Sequence, residues 1–123
     1  MDFDEIKYQV RGAAMAVYGY FGPGLLESVY EKAMIRELQL RGLAVRSQVS
    51  LPILYKGAPV GDDLRIDLLV EGELIVELKS VEEIKDVFYK QLRTYLKLLG
   101  KSEGLLINFG EYDFKNGLRR VTV

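Results

Sequence analysis

Neither cysteine nor histidine occurs anywhere in the 123 residues of this chain. The lack of cysteine excludes disulfides and thiolate metal sites. The lack of histidine removes imidazole acid–base chemistry and typical zinc sites, so any metal must take oxygen ligands, which favours Mg²⁺, Mn²⁺ or Ca²⁺. No apolar run approaches the roughly 18 residues that span a membrane, and no signal peptide opens the chain. We therefore expect a cytoplasmic protein without a membrane partner.

The composition is that of a soluble globular protein, and the length predicts one domain over residues 1–123. Hydrophobic residues make up 49% of the chain and charged residues 28%. The net charge of −1 hides an uneven distribution, because residues 61–84 hold eight acids and two bases, and residues 85–123 hold eight bases and four acids. This pattern would suit a metal site beside a phosphate-binding surface. Chance clustering of solvated charges explains it equally well.

Hydrophobic periodicity predicts one α/β domain with the element order α-α-β-β-β-α-β-β. The predicted helices cover residues 3–20, 25–40 and 84–99, and the extended segments cover residues 44–51, 53–55, both arms of 65–80, 104–109 and 117–123. The segment Gly22-Pro23-Gly24 ends the first helix. The third helix is predicted to carry one amphipathic face made of Val87, Gln91, Tyr95 and Leu98.

The stretch Arg65–Ser80 has the pattern of two strands joined by a tight turn at Glu71-Gly72-Glu73. Side chains in a strand alternate faces, so Glu77 and Lys79 must project from the same face. If the turn takes three residues, Asp67 lies opposite Glu77 with Cβ atoms about 4.5–5.5 Å apart. Two carboxylates that close repel unless a cation lies between them. The pattern D-x9-E-x-K is therefore a candidate metal site with a lysine beside it.

Four motifs in the right order resemble those of the PD-(D/E)XK nuclease superfamily. They are D-x9-E-x-K on the hairpin, G-x-x-E-x-x-Y at 24–30, Q-x-x-x-Y at 91–95 and the apolar run at 104–110. The G-x-x-E-x-x-Y motif resembles the signature of the GxxExxY family of that superfamily, and Q-x-x-x-Y is similar to a motif of its RecB-like branch. The resemblance covers about residues 5–110. It implies a restriction-endonuclease-like αβββαβ core, with a central mixed sheet flanked by helices and an extra N-terminal helix.

The resemblance also implies roles for the acidic residues and the lysine. Asp67 and Glu77 would be the principal metal ligands, with the Leu78 carbonyl oxygen as a further ligand. Lys79 would orient or activate the attacking water, or stabilise charge on the phosphate. Glu27 would complete the acidic cluster or hold a water on the metal.

The third predicted helix would supply the substrate contacts. By the resemblance, Gln91 and Tyr95, one helical turn apart, would contact substrate phosphate or support Lys79. Arg93 and Lys97 belong to a basic strip on this helix, which would track the phosphate backbone. Many family members carry histidine where this chain has Tyr18 and Phe88, so an auxiliary acid–base or metal role does not carry over to those two positions.

The same residues also have purely structural interpretations. The two acids and the lysine could form a surface salt-bridge cluster, and the basic strip could be a solvated helix face. Glu27 could be a first-turn glutamate favoured by the helix dipole, and Gln91 could lie at a packing seam. Tyr30 and Tyr95 are more often core tyrosines with one hydrogen bond than ligands.

Taken together, these patterns predict a Mg²⁺- or Mn²⁺-dependent nuclease that hydrolyses DNA. One or two such ions neutralise the phosphate, activate water and stabilise the leaving oxygen, and Mg²⁺ asks for only one or two protein carboxylates. One alternative is a nucleic-acid-binding protein of the same fold without turnover. Another is a homodimeric structural or interaction module that assembles through the first helix and the edge strands.

Overall fold

Three α-helices and seven β-strands make up the computed structural model, which describes all residues from 1 to 123. The helices are α1 (Phe3–Phe21), α2 (Glu27–Leu40) and α3 (Asp86–Leu99). The strands are β1 (Val45–Leu51), β2 (Leu54–Tyr55), β3 (Ala58–Pro59), β4 (Leu64–Val70), β5 (Leu74–Lys79), β6 (Glu103–Asn108) and β7 (Leu118–Thr122). A 3₁₀ turn at Phe114–Gly117 leads into β7.

Five of the strands form the central sheet, in the order β1-β4-β5-β6-β7. All neighbours are antiparallel except β5 and β6, which run parallel. A parallel pair needs a crossover connection, and α3 supplies it. The element order α2-β1-β4-β5-α3-β6, preceded by α1 and followed by β7, confirms the predicted mixed sheet flanked by helices with an extra N-terminal helix.

The helices cover both faces of the sheet and create two hydrophobic layers. Helices α1 and α2 pack on one face, where the largest fully buried side chains include Ile6, Tyr30, Met34 and Phe109. Helix α3 covers the other face through Leu92, Tyr95 and Leu96. Burial on both faces explains the apolar runs Leu74–Val76 in β5 and Leu105–Ile107 in β6. None of the three helices combines the length and hydrophobicity needed for a membrane span.

The buried face of α3 differs from the predicted one. Val87 is 58% exposed and Leu98 is 40% exposed, whereas the residues that pack on the sheet are Phe88, Leu92, Leu96 and Leu99, together with Tyr95. The contact stripe therefore lies one residue further along, a rotation of about 100° around the helix. Both stripes repeat at helical spacing, so periodicity within the helix does not distinguish them. The position of the sheet decides which stripe is buried.

The ends of two helices also differ from the prediction. Helix α2 begins at Glu27 rather than Leu25, because Gly24 has φ +115° and the Leu25 N–H donates to the Tyr30 hydroxyl instead of continuing a helix. Helix α3 begins at Asp86 rather than Ile84. Of the β2–β3 hairpin, only the extended segment 53–55 was predicted, and the hairpin stands outside the main sheet. The predicted extended segment 117–123 corresponds to β7 (Leu118–Thr122), which is an edge strand of the sheet.

Candidate active site

The hairpin of β4 and β5 has the predicted three-residue turn. Glu71 and Gly72 both have positive φ, and the Glu73 N–H donates to the Val70 carbonyl at 3.0 Å. The ladder above this turn pairs residue 70 with 74, 69 with 75 and 68 with 76. Continuing the same register places Asp67 opposite Glu77, as the sequence predicted. The backbone pairing itself stops one step earlier, at 68 and 76.

Beyond this last pair, the side chains of Asp67 and Glu77 accept the hydrogen bonds that join the two strands. The Asp67 N–H donates to Glu77 Oε1 at 3.1 Å, and the Leu78 N–H donates to Asp67 Oδ2 at 2.8 Å. The two strands therefore stay joined through carboxylate oxygens rather than through carbonyls. This arrangement inserts both acidic groups between the strands, where they lie close to each other.

Electrostatics at this point disfavour two charged carboxylates. Glu77 is only 5% exposed, and burial, followed by the charge of Asp67, raises the pKa of Glu77 to about 8, while the Asp67 N–H and Lys79 act in the opposite direction. A divalent cation between the two groups would reverse both unfavourable effects, so the donor set fits such an ion. No group of three or more acidic side chains in the structure is gathered in a geometry that could hold a metal.

Lys79 is the last residue of β5. It follows Glu77 by two positions and therefore lies on the same side of the strand. It is half-buried and forms no ion pair with a carboxylate. Its Nζ lies 4.7 Å from the centroid of the Phe88 ring, a cation–π distance. Phe88, one of the two positions at which the resemblance implied a histidine, therefore contacts the ammonium group with its ring face.

Tyr18, the other position at which the resemblance implied a histidine, has structural contacts. Its hydroxyl lies 2.6 Å from the Glu111 carbonyl oxygen and 2.9 Å from the Tyr112 carbonyl oxygen. Its ring stacks on Phe114 with the centroids 4.3 Å apart. These contacts attach α1 to the loop after β6.

Helix α3 contributes a linked glutamine and tyrosine on the Lys79 side of the sheet. Gln91 Nε2 donates to the Tyr95 hydroxyl at 2.8 Å. Burial raises the pKa of Tyr95, and the charges of Glu77 and, to a lesser extent, Asp67 raise it further. Tyr95 packs with Ile66 and Ile75 in the hydrophobic layer between α3 and the sheet, the side of β5 to which Glu77 belongs by strand alternation. Tyr95 is therefore on the same side of the sheet as Glu77, and Gln91 is linked to it by the hydrogen bond.

The two basic residues of α3 that were predicted as substrate contacts lie elsewhere on the helix. Arg93 and Lys97 are both exposed, and each follows Gln91 or Tyr95 by two positions, about 200° around the helix. Lys97 therefore projects away from the sheet, while Arg93 lies at the flank of the helix, outside the stripe of Leu92 and Leu96, and the structure does not bring either to the acidic pair.

On the opposite side of Asp67, a cavity of about 210 Å³ opens toward α2. Its lining consists of polar residues and one hydrophobic residue: Glu27, Ser28, Glu31, Gln48, Asp67 and Leu78. Glu27, at the first position of α2, therefore shares this cavity with Asp67 and Leu78, while Glu77 and Lys79 are not among the lining residues. Asp67 therefore belongs both to the cavity with Glu27 and to the carboxylate pair with Glu77.

Gln48 is a site residue that the sequence did not indicate. Its Nε2 donates to Glu31 Oε1 at 2.7 Å and lies 3.4 Å from Asp67 Oδ1. Gln48 has φ +50°. The β1–β4 ladder pairs Ser47 with Leu68 and Val49 with Ile66, and it is interrupted between these two pairs, at Gln48. An isolated glutamine in a predicted strand carries no signal of such a bend, so only the pairing with β4 reveals it.

The residues of the G-x-x-E-x-x-Y motif attach the Gly-Pro-Gly loop to α2. The fully buried Tyr30 hydroxyl donates to the Gly22 carbonyl and accepts the Leu25 N–H at 3.2 Å, and the Tyr30 ring stacks on Phe109 at 4.3 Å. At the end of β5, Ser80 Oγ donates to the Leu25 carbonyl at 2.6 Å. These contacts set the start of α2, and hence Glu27, beside the β4–β5 hairpin.

Removing the Tyr30 hydroxyl is expected to destabilise the fold and loosen this loop. In a Tyr30→Phe variant the Gly22 carbonyl and the Leu25 N–H lose their partner, which should lower the free energy of unfolding by about 1–3 kcal/mol. Urea unfolding measures the change. The matched control is Tyr20→Phe, because Tyr20 is 83% exposed and should show no change; equal effects of the two variants would contradict this role of the Tyr30 hydroxyl.

Asn108 is another residue that the sequence did not single out. It is fully buried, and it bonds Val81 through both the N–H (3.0 Å) and the carbonyl (2.8 Å) while also accepting the Gly110 N–H at 3.0 Å. A polar residue that ends an apolar strand two positions before a glycine is the only sequence sign of this role. The amide joins the chain segments that leave the parallel strands β5 and β6.

The geometry defines a class of protein: a mixed α/β sheet whose central hairpin presents an Asp–Glu pair and a lysine at the carboxyl end of its parallel strands. A family model described as the PD-(D/E)XK nuclease superfamily matches residues 4–121. The chain belongs to the PD-(D/E)XK nuclease superfamily, whose nucleases typically use divalent metal ions. Neither the curated proteins nor the solved structures contain a match to this chain.

Proposed function

We propose that residues 1–123 act as one domain of the GxxExxY type that hydrolyses phosphodiester bonds in DNA with Mg²⁺ or Mn²⁺. The observation that carries this proposal is the exchange of hydrogen bonds between Asp67, Glu77 and the Leu78 N–H, which concentrates two carboxylates beside Lys79. A buried glutamate beside a second carboxylate is costly for stability alone. Its use in binding a cation explains why the fold retains it.

The cation would be held by Asp67 and Glu77, with the Leu78 carbonyl oxygen as a further donor. When bound, it would supply Lewis-acid stabilisation of the phosphate and of the leaving oxygen. Glu27 lines the same cavity as Asp67 and Leu78 and would add negative charge on the α2 side. The absence of histidine agrees with an all-oxygen donor set.

The other site residues would position water and substrate. The Lys79 ammonium group, held over the Phe88 ring, would orient the attacking water or offset charge that develops on the phosphate. Gln91 and Tyr95 would contact a phosphate oxygen, because an amide and a phenol both offer donors to it. Arg93 and Lys97 would contribute by long-range attraction of the backbone rather than by direct contact.

The test is cleavage of single-stranded, duplex and branched DNA in Mg²⁺ or Mn²⁺, with excess EDTA as the control. We expect cleavage that stops when EDTA is added. Metal-independent cleavage would contradict the proposal, and salt-sensitive binding without cleavage would favour the alternative of a binding protein without turnover.

Loss of one carboxylate should weaken metal binding directly. Asp67→Asn is nearly isosteric, but it removes the charge that faces Glu77, and we expect Mn²⁺ affinity to fall at least about tenfold, the lower end of what losing an outer-shell partner costs. Titration calorimetry with Mn²⁺ measures this. Asp63→Asn is the matched control, since Asp63 is exposed and bonds Ser50; equal losses in the two variants would rule out Asp67 as a ligand.

Self-association is also part of the proposal, since two active sites can address two strands. Large hydrophobic side chains are exposed along α1: Tyr8, Met15 and Tyr20. Sedimentation velocity tests for the dimer. A monomer at all concentrations would remove this part of the proposal and leave the chemistry of the single site unchanged.

A further inference from the structure

The β2–β3 hairpin projects from the end of the sheet that carries the candidate active site. The chain leaves the sheet at Leu51 and re-enters it at Leu64, and these two residues pair. Strand β4 runs antiparallel to β5, so the start of β4 at Leu64 lies toward the end of β5 that carries Lys79. The segment between Leu51 and Leu64, which includes the hairpin, therefore leaves the sheet at the same end as Lys79.

This hairpin has no core of its own. It contains only the pairs Leu54 with Pro59 and Tyr55 with Ala58, and all four residues are exposed. Leu54 is 55% exposed and Tyr55 63% exposed. A two-stranded hairpin in water is marginally stable, so exposed hydrophobic residues on so short a hairpin are more useful for contact than for folding.

The tip of the hairpin combines an aromatic ring with a cation. Lys56 and Gly57 both have positive φ (49° and 84°), the conformation of a type I′ turn, in which Asn-Gly is the favoured pair. A lysine occupies the position where asparagine would fit with less strain. Its Nζ lies 5.4 Å from the Tyr55 ring centroid, so the tip presents a base-stacking surface and a phosphate-binding charge together.

Pairing with a strand from a second copy is disfavoured by Pro59. The Val60 N–H donates to the Ile53 carbonyl at 2.9 Å within the hairpin, and hydrogen-bonded pairs alternate along an antiparallel ladder. The missing N–H of Pro59 therefore falls on the outer edge, where proline prevents strand addition. The charges at the base of the hairpin are mixed: Asp63 Oδ2 accepts the Ser50 hydroxyl at 2.7 Å, and Asp62 and Arg65 are exposed.

We propose that the β2–β3 hairpin binds the nucleic-acid strand next to the scissile phosphate, with Tyr55 stacking on a base and Lys56 contacting a backbone phosphate. This inference rests on the proposed nuclease function, because the position of the hairpin matters only if the strand crosses the site at the end of β5. The hairpin extends the binding surface beyond the catalytic residues. Its ligand is a nucleotide strand rather than a protein.

The test measures binding of fluorescent single-stranded and duplex DNA by anisotropy in a Lys79→Ala background, which separates binding from cleavage. Tyr55→Ala should weaken binding about 5- to 100-fold, the effect of losing one base–aromatic stack, whereas Tyr55→Phe should retain it. Lys56→Asn keeps the type I′ turn. It should reduce the slope of the logarithm of the binding constant against the logarithm of the salt concentration by about one. Lys32→Ala, which removes an exposed lysine of α2, serves as the control.

Each outcome distinguishes the hairpin from the nuclease proposal. If neither the Lys79→Ala parent nor the wild-type protein in EDTA binds nucleic acid, both proposals fail. If the parent binds and the hairpin variants bind equally well, the hairpin inference alone is overturned. If the hairpin variants instead change the sedimentation coefficient while DNA binding stays the same, the hairpin is a contact between copies and the inference is again wrong. Weaker binding in Tyr55→Ala and Lys56→Asn, with unchanged melting temperature, supports it.

Discussion

A Lys79→Met variant is expected to lose about 10²- to 10⁴-fold in the rate of metal-dependent DNA cleavage, the range associated with removing one positioned acid–base or charge-stabilising group. Methionine keeps an unbranched apolar stem that can still pack on the Phe88 ring, so the change removes mainly the ammonium group. Single-turnover cleavage assays measure the rate, and thermal unfolding shows whether the fold is preserved. The loss should therefore appear in the chemical step rather than in the melting temperature.

A matched substitution on α3 separates this effect from a general loss of positive charge. Lys90 is exposed and lies two positions before Leu92, on the side of α3 away from the sheet. Lys90→Met should leave the single-turnover rate within about threefold of the wild type, the size of effect expected for a long-range charge on a solvated surface. Cleavage by Lys79→Met at the wild-type rate would show that the lysine of D-x9-E-x-K takes no part in the reaction.

The metal-free protein is expected to lose stability as the pH rises from about 5 to about 8. The pKa of Glu77 is raised from 4.5 to about 8 in the folded protein, so across this interval the folded state retains a proton that the unfolded chain has lost. Raising the pH therefore lowers the free energy of unfolding. The expected loss is about 2–4 kcal/mol, from about 1.4 kcal/mol for each pKa unit, and urea unfolding in EDTA at a series of pH values measures it.

Two comparisons show whether Glu77 causes this dependence. A Glu77→Gln variant has no proton to lose at this position, so its stability should change little between pH 5 and 8, whereas Glu82→Gln, a change at an exposed glutamate, should retain the wild-type slope. Divalent cations should restore the stability of the wild-type protein near pH 8, because binding to the folded state alone adds stability by mass action. A metal-free wild-type protein whose stability rose with pH would contradict the assignment.

The raised pKa and the proposed metal site describe one physical situation. A proton and a divalent cation compete for the same pair of carboxylates, so metal affinity should increase as the pH approaches 8. The hydrogen bonds from the Asp67 and Leu78 N–H groups hold the oxygens of the pair in place. The site is therefore assembled in the metal-free fold, and the cation would replace a proton rather than organise a loop.

Much of the hairpin could be predicted because its determinants are local. The turn at Glu71-Gly72-Glu73 and the alternation of apolar residues define the register, and that register places Asp67 opposite Glu77. The one-turn spacing of Gln91 and Tyr95 is also a property of the helix itself, and their hydrogen bond follows from it. The order of the four motifs led to the superfamily that the family model confirms over residues 4–121.

Other features depend on contacts between segments that are distant in the sequence. The buried stripe of α3 lies one residue beyond the predicted one because Leu92 and Leu96 pack against the sheet. Periodicity within the helix fits either stripe. Gln48 reaches Asp67 only because β1 bends at a positive φ beside β4. The opening of the ladder beyond Leu68 likewise requires both strands to be in place.

By itself, then, the sequence determined the elements, the hairpin register and the identity of the acidic pair, because turn chemistry and the two-residue period act over a few neighbouring residues. Only the tertiary structure decided that Glu77 is buried with its pKa raised, and that Lys79 rests on Phe88. It also placed Glu27 in a separate cavity with Asp67 and kept Arg93 and Lys97 away from the acidic pair. Burial and electrostatic potential sum over atoms from every packed element, so they exist only once the sheet and helices have come together.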